Sequence, residues 1–172
     1  HMRWQDVKPF EDRVWEEKAI ERIFAWVTEI DTDNQRLTFE NGDTLPYDQL
    51  LVATGSASNK FGWPGQDLKR VGGMYSLQDL LHLEEHSSDI ERGVIVGGGL
   101  IGIELAEMLL TRKKAVTMLV REDTYWGNAL PPLEAQLVHE QIHHHHVDLR
   151  LQTELDEIHA DDQGRAAHIS TK

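Results

Sequence analysis

The stretch from Val94 to Glu104, VIVGGGLIGIE, limits the fold of this chain more than any other part of the sequence. It opens with a short uncharged apolar run, which is typical of a β-strand buried on both faces. Glycines follow at positions 97, 99 and 102 in the spacing G-x-G-x-x-G, and an apolar helical pattern then continues to about Lys113. The sequence therefore predicts a buried strand, a tight turn and a helix packed closely on that strand.

The glycines of this turn have different expected roles. Gly97 permits the tight turn, Gly99 allows the backbone to approach a pyrophosphate, and Gly102 allows the helix to lie close to the strand. The N-terminus of the helix offers unpaired N–H groups and a partial positive charge to phosphates. Because a strand precedes the glycines and a helix follows them, the pattern predicts a dinucleotide-binding site.

The first third of the chain has the pattern of a β-meander. Residues 10–18 are predicted to form a short helix, and alternating apolar residues predict a strand over 23–30. Asn41-Gly42 is a strong hairpin signal. An apolar run over 49–53 predicts one further, buried strand, which leads into Thr54-Gly55.

The remainder alternates strands and helices, as expected of a parallel sheet. After a glycine-rich loop over 56–75, Ser76-Leu77-Gln78-Asp79 has the form of a capping box. The further predicted elements are a helix to about His86, the strand and helix around the glycines, a strand over 115–120, a helix opening at Pro131-Pro132, a strand over 147–151 and a hairpin through 161–164. Helical spacing assigns to the core Ile101, Leu105, Met108 and Leu109 in one helix, and Leu133, Leu137, Val138 and Ile142 in the next.

Composition excludes several classes of function. The formal net charge is −13, from 17 basic and 30 acidic residues, which disfavours nucleic acid and anionic membranes as partners. No apolar run approaches the length of a membrane span, and a cytoplasmic location is favoured. Without cysteine the chain has no disulfide, thiolate nucleophile or thiolate metal ligand. The scattered tryptophans, together with Tyr75 and Tyr125, are interpreted as core and loop anchors.

Three segments follow one another in a recognisable order. They are Tyr47-Asp48-x-Leu50-Leu51-Val52-Ala53-Thr54-Gly55-Ser56, Pro64-Gly65-x-Asp67-Leu68 and Gly97-Gly98-Gly99-Leu100-Ile101-Gly102-Ile103-Glu104-Leu105-Ala106. Together they resemble the FAD-dependent pyridine nucleotide-disulfide oxidoreductase superfamily. The chain looks most like its branch of NADH oxidases, rubredoxin and ferredoxin reductases and nitrite reductase flavin subunits. The resemblance extends from about Val27 to the end of the sequence.

The resemblance implies two domains of an α/β fold. Residues 3–58 would be a β-meander piece of an FAD-binding domain, and residues 59–172 a Rossmann-like parallel sheet that binds NAD(P), truncated at its C-terminal end. Family members begin with a separate glycine-rich turn for the FAD pyrophosphate, and nothing before Val94 supplies one. We therefore expect a fragment of a larger enzyme, which binds FAD weakly or not at all.

The resemblance also implies site residues. Those expected to cradle the NAD(P) pyrophosphate are Gly97, Gly98, Gly99, Leu100, Ile101 and Gly102. Thr54 and Gly55 would lie against the FAD, and Val27 would present backbone groups near its adenine. Glu104 matches a family glutamate near the contact between nicotinamide and flavin, although as a first-turn acid it could instead complement the helix dipole.

The choice between NAD and NADP depends on charge at the end of the second strand. Val120 stands where the family often has an acid, and Arg121 follows it as in relatives that use NADP. Glu122 comes next and could serve NAD, and both charges could be ordinary strand-end residues. The pattern slightly favours NADP.

These observations predict the NAD(P)H-binding part of a flavin-dependent oxidoreductase, in which hydride passes from NAD(P)H to FAD and on to an unidentified electron acceptor. One alternative is a non-catalytic dinucleotide-binding or interaction domain. Another is a zinc-dependent hydrolase, because His139-Glu140-x-x-His143 has the spacing of zinc proteases. That pair lacks an evident third ligand and lies opposite the Leu133 and Leu137 stripe, so we expect no resident metal and at most adventitious nickel or zinc.

Overall fold

The computed structural model describes Val7 and residues 9–172, so residues 3–6 and 8 of the predicted FAD-domain piece lie outside the described residues. The chain divides into two compact units between Thr54 and Gly55. The first unit contains α1 (Asp12–Glu17), β1 (Val27–Asp31), β2 (Arg36–Phe39) and β3 (Thr44–Pro46). The strands form an antiparallel sheet in the order β1-β2-β3, with Gly42 at φ +87° in the turn between β2 and β3. The predicted meander and short helix are confirmed.

Two expectations for the first third of the chain are wrong in detail. The strand predicted over 23–30 begins only at Val27, and the strand predicted over 49–53 is not formed. Within the described structure residues 50–63 have no helix or strand, and Leu51 is 86% exposed. A strand needs a neighbour for its backbone hydrogen bonds, and the sheet of this unit ends at β3.

The second unit contains the alternating elements. They are α2 (Leu77–Ser87), β4 (Arg92–Val96), α3 (Leu100–Thr111), β5 (Ala115–Leu119), α4 (Pro132–His144), β6 (Asp148–Arg150), β7 (Leu155–Ala160) and β8 (Ala166–Thr171). Strands β4, β5 and β6 form a parallel sheet in that order, and β7 and β8 pair as an antiparallel hairpin. The predicted capping box opens α2, because the Ser76 hydroxyl accepts the Asp79 N–H and the Asp79 carboxylate accepts the Ser76 N–H. In the described part of the chain no helix is long and apolar enough to cross a bilayer.

One face of the parallel sheet packs against helices α3 and α4. The buried residues of this core are Ile95, Ala106, Leu109, Val116, Met118, Val120, Tyr125, Ile142 and Val147. The helix faces are predicted correctly only in part. Leu109 of α3 and Ile142 of α4 are buried as expected, and Leu105 and Val138 pack against the core half-buried, but the other buried positions are Gly102, Ala106 and Ala135. Ile101, Leu133 and Leu137 are instead 54%, 68% and 55% exposed. Three of the buried positions, Gly102, Ala106 and Ala135, have small side chains or none, which lets the helices approach the sheet closely.

Among the residues that the structure describes, the opposite face of the sheet is covered at only one strand, β5. Leu119 of β5 packs against Leu155 and Ile158 of the β7–β8 hairpin. On β4 the same face carries Val94 and Val96, which are 41% and 43% exposed. The expectation that β4 is buried on both faces is therefore wrong, because the hairpin covers β5 and not β4.

The loop before α2 runs alongside this hairpin. The Ile158 N–H donates to the carbonyl of Pro64 at 2.9 Å, and the Ala166 N–H donates to the carbonyl of Lys69 at 2.9 Å. Gly65 lies between these contacts, and a Cβ built on it would stand 2.0 Å from the Ile158 carbonyl oxygen. This part of the fold therefore requires glycine at position 65.

Gly65→Ala is expected to destabilise the second unit more than the matched substitution Gly164→Ala. Both glycines have positive φ, +82° and +71°, so each change carries a backbone cost of about 1–2 kcal/mol. The new Cβ at position 164 would meet no atom within 4 Å. Chemical denaturation should show the larger loss of unfolding free energy for Gly65→Ala, and equal losses would contradict the close approach.

Candidate functional site

The predicted strand, turn and helix are formed around the glycines. Strand β4 ends at Val96, and the Gly97 N–H extends the pairing by donating to the Leu119 carbonyl at 2.9 Å. Gly97 has φ +115°, a conformation that favours glycine. Gly99 is the N-cap of α3 in extended conformation, and the helix begins at Leu100.

The glycines of the turn differ in how much free space surrounds them. A Cβ built on Gly97 or Gly99 would meet no atom within 4 Å. A Cβ on Gly102 would stand 2.6 Å from the Gly97 carbonyl oxygen and 3.5 Å from Ile95 Cγ2. The chain itself occupies the space at Gly102, whereas the space at the two earlier glycines is open to a ligand.

The start of α3 supplies donors beside this open space. The N–H groups of its first turn have no carbonyl partner within the helix, and they carry the positive end of the helix dipole. The first turn contains no acidic residue, and Leu100 and Ile101 are exposed at its start. Glu104 is also exposed but lies beyond the first turn, which corrects the interpretation of Glu104 as a first-turn acid.

The middle glycine contacts two aromatic residues of the β5–α4 loop. A Cβ on Gly98 would lie 3.0 Å from Tyr125 Cε2 and 3.0 Å from Val120 Cγ2. The Trp126 indole N–H donates to the Gly98 carbonyl at 2.5 Å, and the Tyr125 and Trp126 rings stack with centroids 5.4 Å apart. Tyr125 is fully buried, and this burial raises the pKa of its hydroxyl. Its interpretation as a core anchor is confirmed, but the sequence pattern does not predict the contact of Trp126 with the glycine turn.

Arg121 and Glu122 follow β5 at the carboxyl end of the sheet. Arg121 Nε donates to Glu122 Oε1 at 2.9 Å, and this hydrogen bond lowers the pKa of Glu122. The Arg121 side chain is 76% exposed. Glu122 also lines a cleft of about 280 Å³ that includes Gly127 and Asn128. The two charges expected to distinguish NAD from NADP are therefore paired with each other beside this cleft.

The residues assigned to FAD fall on both sides of the division of the chain. Val27, the first residue of β1, and Thr54 belong to the first unit. Gly55 opens the second unit at φ +78°, where a Cβ would stand 2.5 Å from the Tyr75 hydroxyl oxygen. Their contact with FAD stays a prediction.

The zinc-protease pattern lies on α4. The rings of His139 and His143 are 4.7 Å apart between centroids, and His139 is half-buried at a cleft it shares with Glu140 and Asp123. The expectation that the pair lies opposite an apolar core stripe is wrong, because that stripe is exposed. Among the described residues no group of three His, Cys, Asp or Glu side chains could hold a metal ion. The hydrolase alternative stays a prediction that nothing in this geometry favours.

Comparisons with known proteins match most of the chain. The sequence profile described as pyridine nucleotide-disulphide oxidoreductase matches residues 5–172. The chain is 32% identical over 98 residues to NADH-rubredoxin oxidoreductase of Clostridium acetobutylicum, which covers 56% of this chain and 25% of that protein. It is 31% identical over 150 residues to nitric oxide reductase FlRd-NAD(+) reductase of Escherichia coli (strain SE11), which covers 86% of this chain and 39% of that protein. The chain thus spans well under half the length of these relatives.

A solved structure shares the fold. The ferredoxin reductase for the CYP199A2 system from Rhodopseudomonas palustris superposes with a TM-score of 0.87 at 20% identity, covering 95% of this chain and 40% of that chain. This likeness confirms the predicted α/β fold class. The profile match supports the predicted cofactor classes, NAD(P)H and FAD.

Gly102→Ala is expected to lower the stability of the second unit by about 1–3 kcal/mol, because the Cβ would meet a backbone oxygen that cannot move without displacing the turn. Gly99→Ser is the matched control. Position 99 is an N-cap with open space around it, where serine is favoured. Thermal unfolding should show a loss for Gly102→Ala alone, and a loss of similar size for both would refute the separate roles.

Proposed function

We propose that this chain, which belongs to the pyridine nucleotide-disulphide oxidoreductase family, is the NAD(P)H-binding part of a flavin-dependent oxidoreductase. The observation that carries the proposal is the turn between β4 and α3, which is open at Gly97 and Gly99 and closed at Gly102. Such a turn leaves room for a pyrophosphate next to the unpaired N–H groups of a helix. In the described structure no atom lies within 4 Å of a Cβ built on Gly97 or Gly99, which supports the binding of a dinucleotide at this turn.

The residues proposed to hold the dinucleotide all belong to this turn and to the start of α3. They are Gly97, Gly98, Gly99, Leu100, Ile101 and Gly102. When bound, NAD(P)H supplies a hydride that the flavin of the parent enzyme accepts. Glu104 is our candidate for the residue near the nicotinamide, because it is exposed on the same helix one turn further along.

We further propose that residues 3–58 form part of an FAD-binding domain and residues 59–172 the NAD(P)-binding domain. The division of the chain between Thr54 and Gly55 falls near this boundary and supports the proposal. Val27, Thr54 and Gly55 are the residues proposed to contact FAD. The two curated relatives are named for NADH or NAD(+), which supports a nicotinamide dinucleotide as the other cofactor.

Titration of the purified chain with NADH and NADPH tests the proposal directly. Calorimetry should detect binding of at least one of the two, and Gly99→Val should weaken that binding at least about tenfold because its side chain would occupy the phosphate space. Ala160→Val, on an exposed position of β7, is the control and should bind normally. If calorimetry detects no binding of NADH or NADPH at millimolar concentration, the proposal is refuted.

The alternative of a non-catalytic binding module makes a different prediction about the parent protein. Such a module would bind the dinucleotide, but the parent would not reduce FAD when NADH or NADPH is added. Bleaching of the flavin absorbance by either nucleotide in the parent protein would exclude that alternative.

Arg121 and Glu122 are proposed to set the preference between the two dinucleotides. The guanidinium can bind the 2′-phosphate of NADPH, while Glu122 reduces the local positive charge through its hydrogen bond to Arg121. We therefore expect a small preference for NADPH in the unmodified chain.

Arg121→Gln should weaken the binding of NADPH by about three- to tenfold and leave that of NADH nearly unchanged, because an exposed ion pair with a phosphate is of modest strength. Glu122→Gln should shift the preference further toward NADPH. Parallel calorimetric titrations measure both ratios. Tighter binding of NADH than of NADPH by the unmodified chain would contradict this assignment.

A further inference from the structure

The β5–α4 loop makes one side-chain hydrogen bond to the glycine turn. The Trp126 indole N–H donates to the carbonyl of Gly98, the residue between the two open glycines. We propose that Trp126 is a positioning residue, whose indole holds the glycine turn in the conformation that receives the dinucleotide phosphates. This inference rests on the proposed function of the turn.

Trp126 is itself held firmly on several sides. Its ring stacks on Tyr125, which is fully buried in the core of the second unit. Its carbonyl accepts the N–H groups of Ala129 and Leu130, each at 2.9 Å. Its φ is +56°, which is unusual for a bulky residue and persists only where the surroundings impose it. Such a residue is a rigid support.

The glycine turn needs a support of this kind. Successive glycines have more backbone freedom than other residues, and that freedom must be lost when a ligand is bound. The Gly97 N–H is already fixed by the Leu119 carbonyl, and the Gly102 backbone by its close approach to Gly97. The indole fixes the remaining peptide, between Gly98 and Gly99. Because its carbonyl is held by Trp126, the turn is ordered before the ligand arrives, which lowers the cost of binding.

The proposal predicts a distinctive pattern of affinities. The turn would contact the pyrophosphate, which NADH, NADPH and ADP-ribose share. Loss of the indole N–H should therefore weaken all three equally, without changing the ratio between NADH and NADPH. Changes at Arg121, in contrast, should alter that ratio.

The test compares Trp126→Phe with Trp63→Phe by calorimetry. Phenylalanine keeps an aromatic ring but has no N–H donor. Trp63 is also half-buried, packed against the cluster of Leu119, Leu155 and Ile158, and its indole has no hydrogen-bond partner in the described structure. We expect Trp126→Phe to raise the dissociation constants of all three ligands by about three- to tenfold, and Trp63→Phe to leave them unchanged. The two variants should unfold at similar temperatures.

A second measurement uses the unmodified chain and does not depend on whether Trp126→Phe folds. The Trp126 indole N–H should exchange slowly with deuterium, and NADH should slow its exchange further. Rapid exchange of that proton in the free chain would overturn the inference.

The outcomes separate this inference from the proposed function. If the unmodified chain binds NADH and Trp126→Phe binds it equally well, Trp126 is not a positioning residue and the proposed function stands. If the unmodified chain binds none of the three ligands, the proposed function fails, and the phosphate-positioning role of Trp126 fails with it, whatever the exchange rate of the indole proton.

Discussion

The second unit depends on the close approach of helix α3 to the end of strand β4. The absent side chain of Gly102 allows the helix backbone to lie against the Gly97 carbonyl, where a Cβ would stand 2.6 Å from the oxygen. This contact places the N-terminus of α3 next to the open space beside Gly97 and Gly99. The same contact that closes the core therefore places the N–H groups of the helix around an open volume suited to phosphates.

The parts of this arrangement that local sequence determines could be predicted. The glycine turn between β4 and α3, the capping box at Ser76 and the Asn-Gly turn are each determined by a few neighbouring residues. All three are present as predicted. The parallel order of β4, β5 and β6 also follows from short crossovers through helices. Local signals of this kind do not depend on what lies elsewhere in the chain.

The predictions that the structure contradicts concern the burial of apolar residues. The sequence pattern predicts core positions for Leu51, Val94 and Leu137 because their segments are apolar, but all three are substantially exposed. An apolar pattern indicates that one face of a helix or strand can be buried, but burial also requires a neighbouring helix, strand or loop that packs on that face. For the same reason the sequence indicates only an anchor role for Trp126: its partner, Gly98, lies 28 positions away along the chain, and no local pattern links the two.

The anionic character of the chain is compatible with binding an anionic ligand because the attraction is local. The net charge of −13 acts over distances at which salt screens it, whereas the helix N–H groups act at hydrogen-bond range. The first turn of α3 carries no acidic side chain to oppose them. At the end of β5, Glu122 offsets Arg121, so the positive charge available to a second phosphate is smaller than Arg121 alone would provide. In the proposed function, pyrophosphate binding and 2′-phosphate recognition would therefore rest on different groups, the backbone of the turn and one exposed ion pair, so that mutation could alter each of them independently.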